Sequence, residues 1–253
     1  METFIKNLAK GAGAILKAGY KEKVKTNTKS WALDLVTNYD LASNNFIVSK
    51  IKKKFPDHGI LSEEIKGFIK KDKFWIVDPI DGTFCFVNHL GRFSVSIAYV
   101  EKDEIKYGAV YSPMENELFF AEKDCGAFMN NKRISISENK KIYGSSGYVW
   151  IYSNPNNLHN YQSIYKKLFN HLFFPIIFPS TAVFLAEAAM GRIDFGVSQG
   201  CYPWDYAASA LVLSEAGAKV TQIDGKPYRW DSRSLLAANP VLHKKIINAL
   251  NKG

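Results

Sequence analysis

Residues 75–83 read Trp-Ile-Val-Asp-Pro-Ile-Asp-Gly-Thr, and this string constrains the fold more tightly than any other in the chain. Trp75, Ile76 and Val77 suit a short internal strand, which delivers Asp78 to a strand's C-terminal end, where open α/β sheets gather ligands. Pro79 lacks an N–H and is expected to stop the ladder. Gly82 lets backbone approach a ligand closely, and a helix starting near Thr83 would turn its unpaired N–H groups toward an anion. Two carboxylates three residues apart beside such a turn suit Mg²⁺ bridging to a phosphate. The plainer reading is a polar turn with Asp81 as helix N-cap. It fits a lone Asp-Gly pair better than the whole string.

Two carboxylates do not close an Mg²⁺ site, so other acids must converge. Glu63 and Glu64 follow Ser62 after a strand-like Ile60-Leu61 and could present one carboxylate to the same cleft; alternatively they are an exposed acidic pair. Asp205 follows Trp204 in the first turn of a predicted helix, where a carboxylate meets the helix dipole favourably even without metal. Asp40 stands three residues after Thr37, as in a capping box.

Elsewhere the patterning is mixed. Residues 37–55 have helical spacing at Leu41, Phe46, Ile47 and Ile51 and close on Lys52, Lys53 and Lys54 before Pro56. From Phe93 the period becomes two, predicting a strand, and further strands are expected at 105–111, 118–122 and 133–137, an antiparallel meander. Residues 148–170 read as a connection plus a helix, the seam between halves of about 1–145 and 146–253. Helices are expected at 181–190, 204–216 and 241–251, with strands at 193–197 and 219–223. The whole suggests an α+β layered sandwich.

Composition narrows the partners. A chain of 253 residues, 47% apolar and 23% charged, has material for a sizeable core. Residues 1–20 have the rhythm of an amphipathic helix rather than a signal peptide, and no stretch reaches the ~20 apolar residues of a membrane span. Cys85, Cys125 and Cys201 imply no disulfide framework and point to a reducing cytoplasm. The formal charge of +9 could attract nucleic acid or acidic surfaces, but lysines 52–54, 70–71, 166–167 and 244–245 read as solvated helix ends. No nucleic-acid motif accompanies them, and no membrane partner is expected. Cys85 with His89 lacks a third orienting group, Cys201 reads as a packed thiol, and His58, His159, His171 and His243 show no metal spacing.

The stretches 34–40, Glu63-Glu64, 75–83, Gly126-Ala127-Phe128, and Trp204-Asp205 continuing to Glu215-Ala216-Gly217 together resemble the inositol monophosphatase family of Mg²⁺-dependent, lithium-sensitive phosphomonoesterases. The resemblance implies an αβαβα sandwich of the sugar-phosphatase type with mixed and antiparallel sheets, a homodimer, and two to three Mg²⁺ ions per site, with Mn²⁺ as an alternative. It makes Glu63, Asp78 and the Ile80 carbonyl ligands of one metal, and Asp78, Asp81 and Asp205 ligands of a second. It also implies a third, weaker ion near Glu63, and Asp40, Thr83 and Glu63 as the catalytic residues. Thr83 would hydrogen-bond the attacking water, and Asp40 would orient that threonine or accept from it. Backbone N–H groups of Gly82 and Thr83 would hold the phosphate.

The substrate side departs from the family pattern. The implied substrate is a small sugar or polyol phosphate, inositol 1-phosphate-like; fructose 1,6-bisphosphate, NADP and histidinol phosphate are alternatives, as is a basic, non-catalytic binding module. Phe84-Cys85-Phe86 stands where most relatives place polar residues, and Phe84 replaces the lysine of nucleoside-bisphosphate enzymes. Ser198 replaces the glutamate that meets inositol hydroxyls. In the substrate loop Ser180-Thr181-Ala182, Ser180 replaces glycine and is expected to crowd the backbone approach; with Asp205 these complete the expected substrate contacts.

Overall fold

The computed structural model describes residues 1–22, 26–28, 35–152 and 158–251. Asp34 of the 34–40 stretch, residues 153–157 of the expected seam and the side chain of His159 lie outside the described residues.

Two sheets carry the architecture. The first has seven strands in the spatial order Gly59–Ser62, Lys73–Asp81, Ser94–Glu101, Glu104–Ser112, Glu117–Glu122, Gly126–Met129 and Lys132–Arg133. Its first pair is parallel and the rest antiparallel. The second has five strands, ordered Phe174–Ile176, Ser146–Ile151, Phe195–Gln199, Ser234–Ala238 and Lys219–Thr221, two pairings parallel and two antiparallel. Helices Glu2–Gly19 and Asn38–Lys54 bury Ile5, Leu16, Ile47 and Ile51 against Trp75, Val77 and Ile97 on one face of the first sheet. Helices Thr181–Ala189 and Pro203–Glu215 fill the space between the sheets, packing on Phe74, Ile76 and Ala98 from one side and Tyr148, Leu235 and Ala237 from the other. Helices Leu158–Phe169 and Pro240–Asn251 cover the outer face of the second sheet through Leu168, Leu242 and Ile246. The layers are therefore αβαβα, the expected sandwich.

Several local expectations shift. Pro79 does not end its strand: pairing runs to Asp78↔Ser96, slips, and resumes at Asp81↔Ser94, a bulge that absorbs the missing N–H. The expected 133–137 strand contracts to Lys132–Arg133 and pairs with the unanticipated Gly126–Met129. Leu41 is 48% exposed, so the buried face of its helix is carried by Ile47, Val48 and Ile51 instead. Lys70 and Lys71 precede a strand, and Lys244 and Lys245 lie inside the last helix; only lysines 52–54 and 166–167 occupy final helical turns. No helix among the described residues is long and apolar enough to cross a membrane.

His243 supplies a stability test. It is buried, its Nε2 lies 2.8 Å from Thr221 Oγ1, and its Nδ1 has no protein partner. Burial, with a smaller contribution from Lys219, pushes its imidazole down to about 4. An unfolded histidine titrates near 6.5. The contribution is therefore full above about pH 6.5 and declines as the unfolded chain takes up a proton that the native state refuses. The decline ends near pH 4 and totals roughly 3 kcal/mol. Urea unfolding between pH 7 and 4.5 should show a shallower loss for His243→Gln than for the wild type; equal slopes would remove His243 from the acid response.

Candidate active site

The acids gather where three helices begin. Asp40 lies in the first turn of Asn38–Lys54: its Oδ2 accepts from Thr37 N at 2.7 Å and Thr37 Oγ1 at 2.5 Å, while its Oδ1 accepts from Thr83 Oγ1 at 3.0 Å. Asp40 thus makes the capping box through one oxygen and meets Thr83 through the other. Asp205, in the first turn of Pro203–Glu215, accepts from Tyr202 N at 2.5 Å through Oδ2. Asp81 caps a third helix across the chain, its Oδ1 accepting from Thr181 N at 2.8 Å and its Oδ2 from Ala182 N at 3.0 Å. The positive ends of three helices offset part of the cost of concentrating carboxylates.

That cost is large. Ligand oxygens of Asp78, Asp81 and Asp205 all lie within 4.8 Å of one another. Burial holds the Asp78 carboxyl well above the usual carboxylate range, reinforced by Glu63, Asp81 and Asp205. Burial likewise raises Asp205, with Asp81 and Glu63 adding. Asp81 is raised by burial against the pull of its donors. Glu63 stands close enough to Asp78 and Asp205 for its charge to add to their repulsion. Of the acidic pair, Glu63 is the member that lines the cleft. This donor set, hard oxygens with mutually raised affinity for protons, fits a divalent cation.

The bulge at Pro79 aims the groups. Asp78 Oδ1 accepts from Ile80 N at 3.0 Å, and the Ile80 carbonyl faces Thr83 Oγ1 at 3.2 Å. Ser43 Oγ donates to the Pro79 carbonyl at 2.9 Å, tying the bulge to helix Asn38–Lys54. Gly82 has φ +89°, and a Cβ there would stand 2.9 Å from Ser180, so only glycine fits. Helix Thr83–Val87 starts directly after it.

The expected substrate loop is committed differently. Ser180 Oγ donates to Asp81 Oδ2 at 2.8 Å, and the Thr181 and Ala182 N–H groups are occupied by the same carboxylate. Thr181 still lines the cleft; Ser180 and Ala182 are buried behind it. Ser198 is fully buried, 3.5 Å from Cys201 Sγ and accepting from Tyr206 OH at 3.3 Å, and does not line the cleft. Cys85 is buried too, pushed up to about 12 chiefly by burial, so no thiolate nucleophile is available there. Sequence reasoning missed Ser94, whose Oγ donates to Asp81 Oδ2 at 3.1 Å. Its signal was faint: the serine facing Asp81 across the strand pair. Also missed were Trp150, Tyr152 and Tyr202, which wall a cleft of about 390 Å³ opening from the acids.

Comparison with known proteins agrees with this geometry. The chain is 34% identical over 248 residues to a fructose-1,6-bisphosphatase/inositol-1-monophosphatase of Thermotoga maritima, covering 97% of this chain and 93% of that one. It is 36% identical to the Nus factor SuhB of Pasteurella multocida, covering 96% and 92%. The crystal structure of extragenic suppressor protein suhB from Bartonella henselae superimposes with a TM-score of 0.93 at 28% identity, over 100% of this chain and 98% of that one. The family model described as "Inositol monophosphatase family" matches residues 1–253, and with the acids, the bulge and the layered sandwich in place, the chain belongs to that family of phosphomonoesterases.

Proposed function

We propose that this phosphomonoesterase is Mg²⁺-dependent and that Glu63, Asp78, the Ile80 carbonyl, Asp81 and Asp205 hold its ions, two to three per site, with Mn²⁺ as an alternative. The observation that carries this reading is the convergence of three carboxylates within 4.8 Å, two of them buried, with Glu63 lining the same cleft. Bound there, Mg²⁺ supplies Lewis-acid activation of water and neutralises phosphate oxygens. Thr83 Oγ1 orients the attacking water. Asp40, pushed up to about 7 by burial, is poised to take the proton relayed through Thr83 at its Oδ1. The water oxygen bonds to phosphorus, the ester P–O bond breaks, the departing alkoxide takes up a proton from solvent water, and Asp40 later returns its proton to solvent, with no covalent phospho-enzyme. Backbone N–H groups of Gly82 and Thr83 are proposed to steady the phosphate. A homodimer is the assembly that the family resemblance supports, and the sparse cysteines support a reducing cytoplasm as its setting.

Small sugar and polyol phosphates, inositol 1-phosphate first, are the esters to which the relatives' names point. Phosphate release should therefore be measured with Mg²⁺ across sugar, polyol and nucleotide phosphates, including fructose 1,6-bisphosphate, NADP and histidinol phosphate. Release from at least one member is expected; none from any, with metal bound, would contradict the enzyme reading. The Nus factor name of the Pasteurella relative favours one second reading, a non-catalytic role for the basic surface. That role alone has no need of the assembled acids.

A further inference from the structure

The wall facing the acids is aromatic. Phe84, Trp150, Tyr152, Tyr202 and Trp204 line it. Phe84 and Tyr202 are 41% and 40% exposed, a large apolar area left open beside a reaction centre. These rings are held in place. Tyr202 and Trp204 stack with centroids 4.7 Å apart and planes 7° from parallel, and Tyr152 meets Tyr202 edge-on at 6.5 Å. The Arg233 guanidinium lies 4.1 Å from the Tyr202 centroid, fixed by donating to the Cys201 carbonyl at 2.6 Å and the Gly200 carbonyl at 2.9 Å.

Among the described lining residues, the polar atoms of that wall are the Tyr152 and Tyr202 hydroxyls and the Trp150 and Trp204 indole N–H groups, each on an otherwise apolar ring. Among the described lining residues the charged side chains are Glu63, Asp78, Asp81 and Asp205, all at the acid end. Thr181 Oγ1 already accepts from Tyr148 OH at 3.3 Å, and Ser198 is sealed behind the wall. A polyol placed here would lose water from several hydroxyls with few protein partners to replace it. A flat ring loses little water and gains contact with Phe84, Trp150 and the exposed edge of the Tyr202–Trp204 stack, whose Tyr202 faces are already covered by Trp204 and Arg233.

We infer that the preferred substrate is a phosphomonoester whose alcohol carries a planar aromatic ring one or two carbons from the ester oxygen, the ring lying against the Tyr202–Trp204 wall. This rests on the phosphomonoesterase reading and narrows its alcohol half. Polyol phosphates are turned over at the same centre, less efficiently.

The test compares kcat/KM for 2-phenylethyl phosphate with that for glycerol 1-phosphate and inositol 1-phosphate, all with Mg²⁺. The first two release primary alkyl alcohols, so the leaving group is closely matched. The phenylethyl ester should be favoured by about tenfold or more, and Tyr202→Ala and Trp150→Ala should each reduce that ratio. A wild-type ratio at or below one, with release still requiring Mg²⁺, overturns the aromatic preference and leaves the phosphatase reading intact. No release from any ester removes both.

Discussion

Asp78→Asn is expected to lower phosphate release by a factor on the order of 10³ while raising the melting temperature of the metal-free protein. Both changes have one cause. Asp78 is 1% exposed and surrounded by Glu63, Asp81 and Asp205, so its charged form is disfavoured by burial first and by like charges second. A carboxyl whose folded affinity for protons exceeds its unfolded one destabilises the native state at neutral pH. Asparagine removes that charge and keeps an oxygen to accept from Ile80 N. A gain of about 1 kcal/mol would appear as a rise of roughly 2–4 °C. The rate falls because the group shared between the two expected ion positions loses its charge, and activation of water with it. Calorimetry without metal, paired with phosphate release at saturating Mg²⁺, checks both signs. A destabilised metal-free variant, or one with undiminished release, would contradict the assignment.

Asp40→Asn separates proton transfer from metal binding. Asparagine keeps one oxygen for the Thr37 cap, but it presents an N–H₂ toward Thr83 Oγ1 in place of the Oδ1 acceptor at 3.0 Å. Thr83 can then no longer pass a proton on. Loss of a positioned base costs about 10²–10⁴ in rate, so kcat should drop by roughly two to three orders of magnitude. Asp40 is outside the proposed ligand set, so the Mg²⁺-induced rise in melting temperature should persist. Equal loss of rate and of the metal response would place Asp40 among the ligands instead.

These two substitutions mark how far the site was legible before the fold was known. The string through Asp78 and Asp81 pointed to a cation site because an apolar strand, a proline, a glycine and a threonine restrict one another. Asp40 was legible only as a choice between cap and site, since nothing local shows that one oxygen can serve each. Pro79 misled by its general habit: a bulge keeps its strand going when Ser94 and Ser96 remain in register on either side of the slip. Strands Ser146–Ile151 and Ser234–Ala238 escaped notice because burial on both faces erases alternation and leaves short runs opening on serine. The aromatic wall was illegible for a different reason. Trp150 and Tyr202 lie about fifty residues apart, on a strand and just before a helix, and only the stacking of layers brings them to one cleft. Ser198, made a substrate contact by the resemblance, shares its sheet face with Trp150 but is covered by Cys201 and Tyr206, a burial that local alternation does not reveal.

The central claim is that the clustered acids form a cation site coupled to hydrolysis. Thermal unfolding of metal-free protein, repeated with Mg²⁺ at about a hundred times its dissociation constant, tests it most directly. Ion binding to the folded state alone stabilises by about 2.7 kcal/mol under those conditions, a rise of roughly 5–10 °C. The account predicts that rise in the wild type and its absence in Asp78→Asn. A wild-type melting temperature unmoved by saturating Mg²⁺ would contradict it.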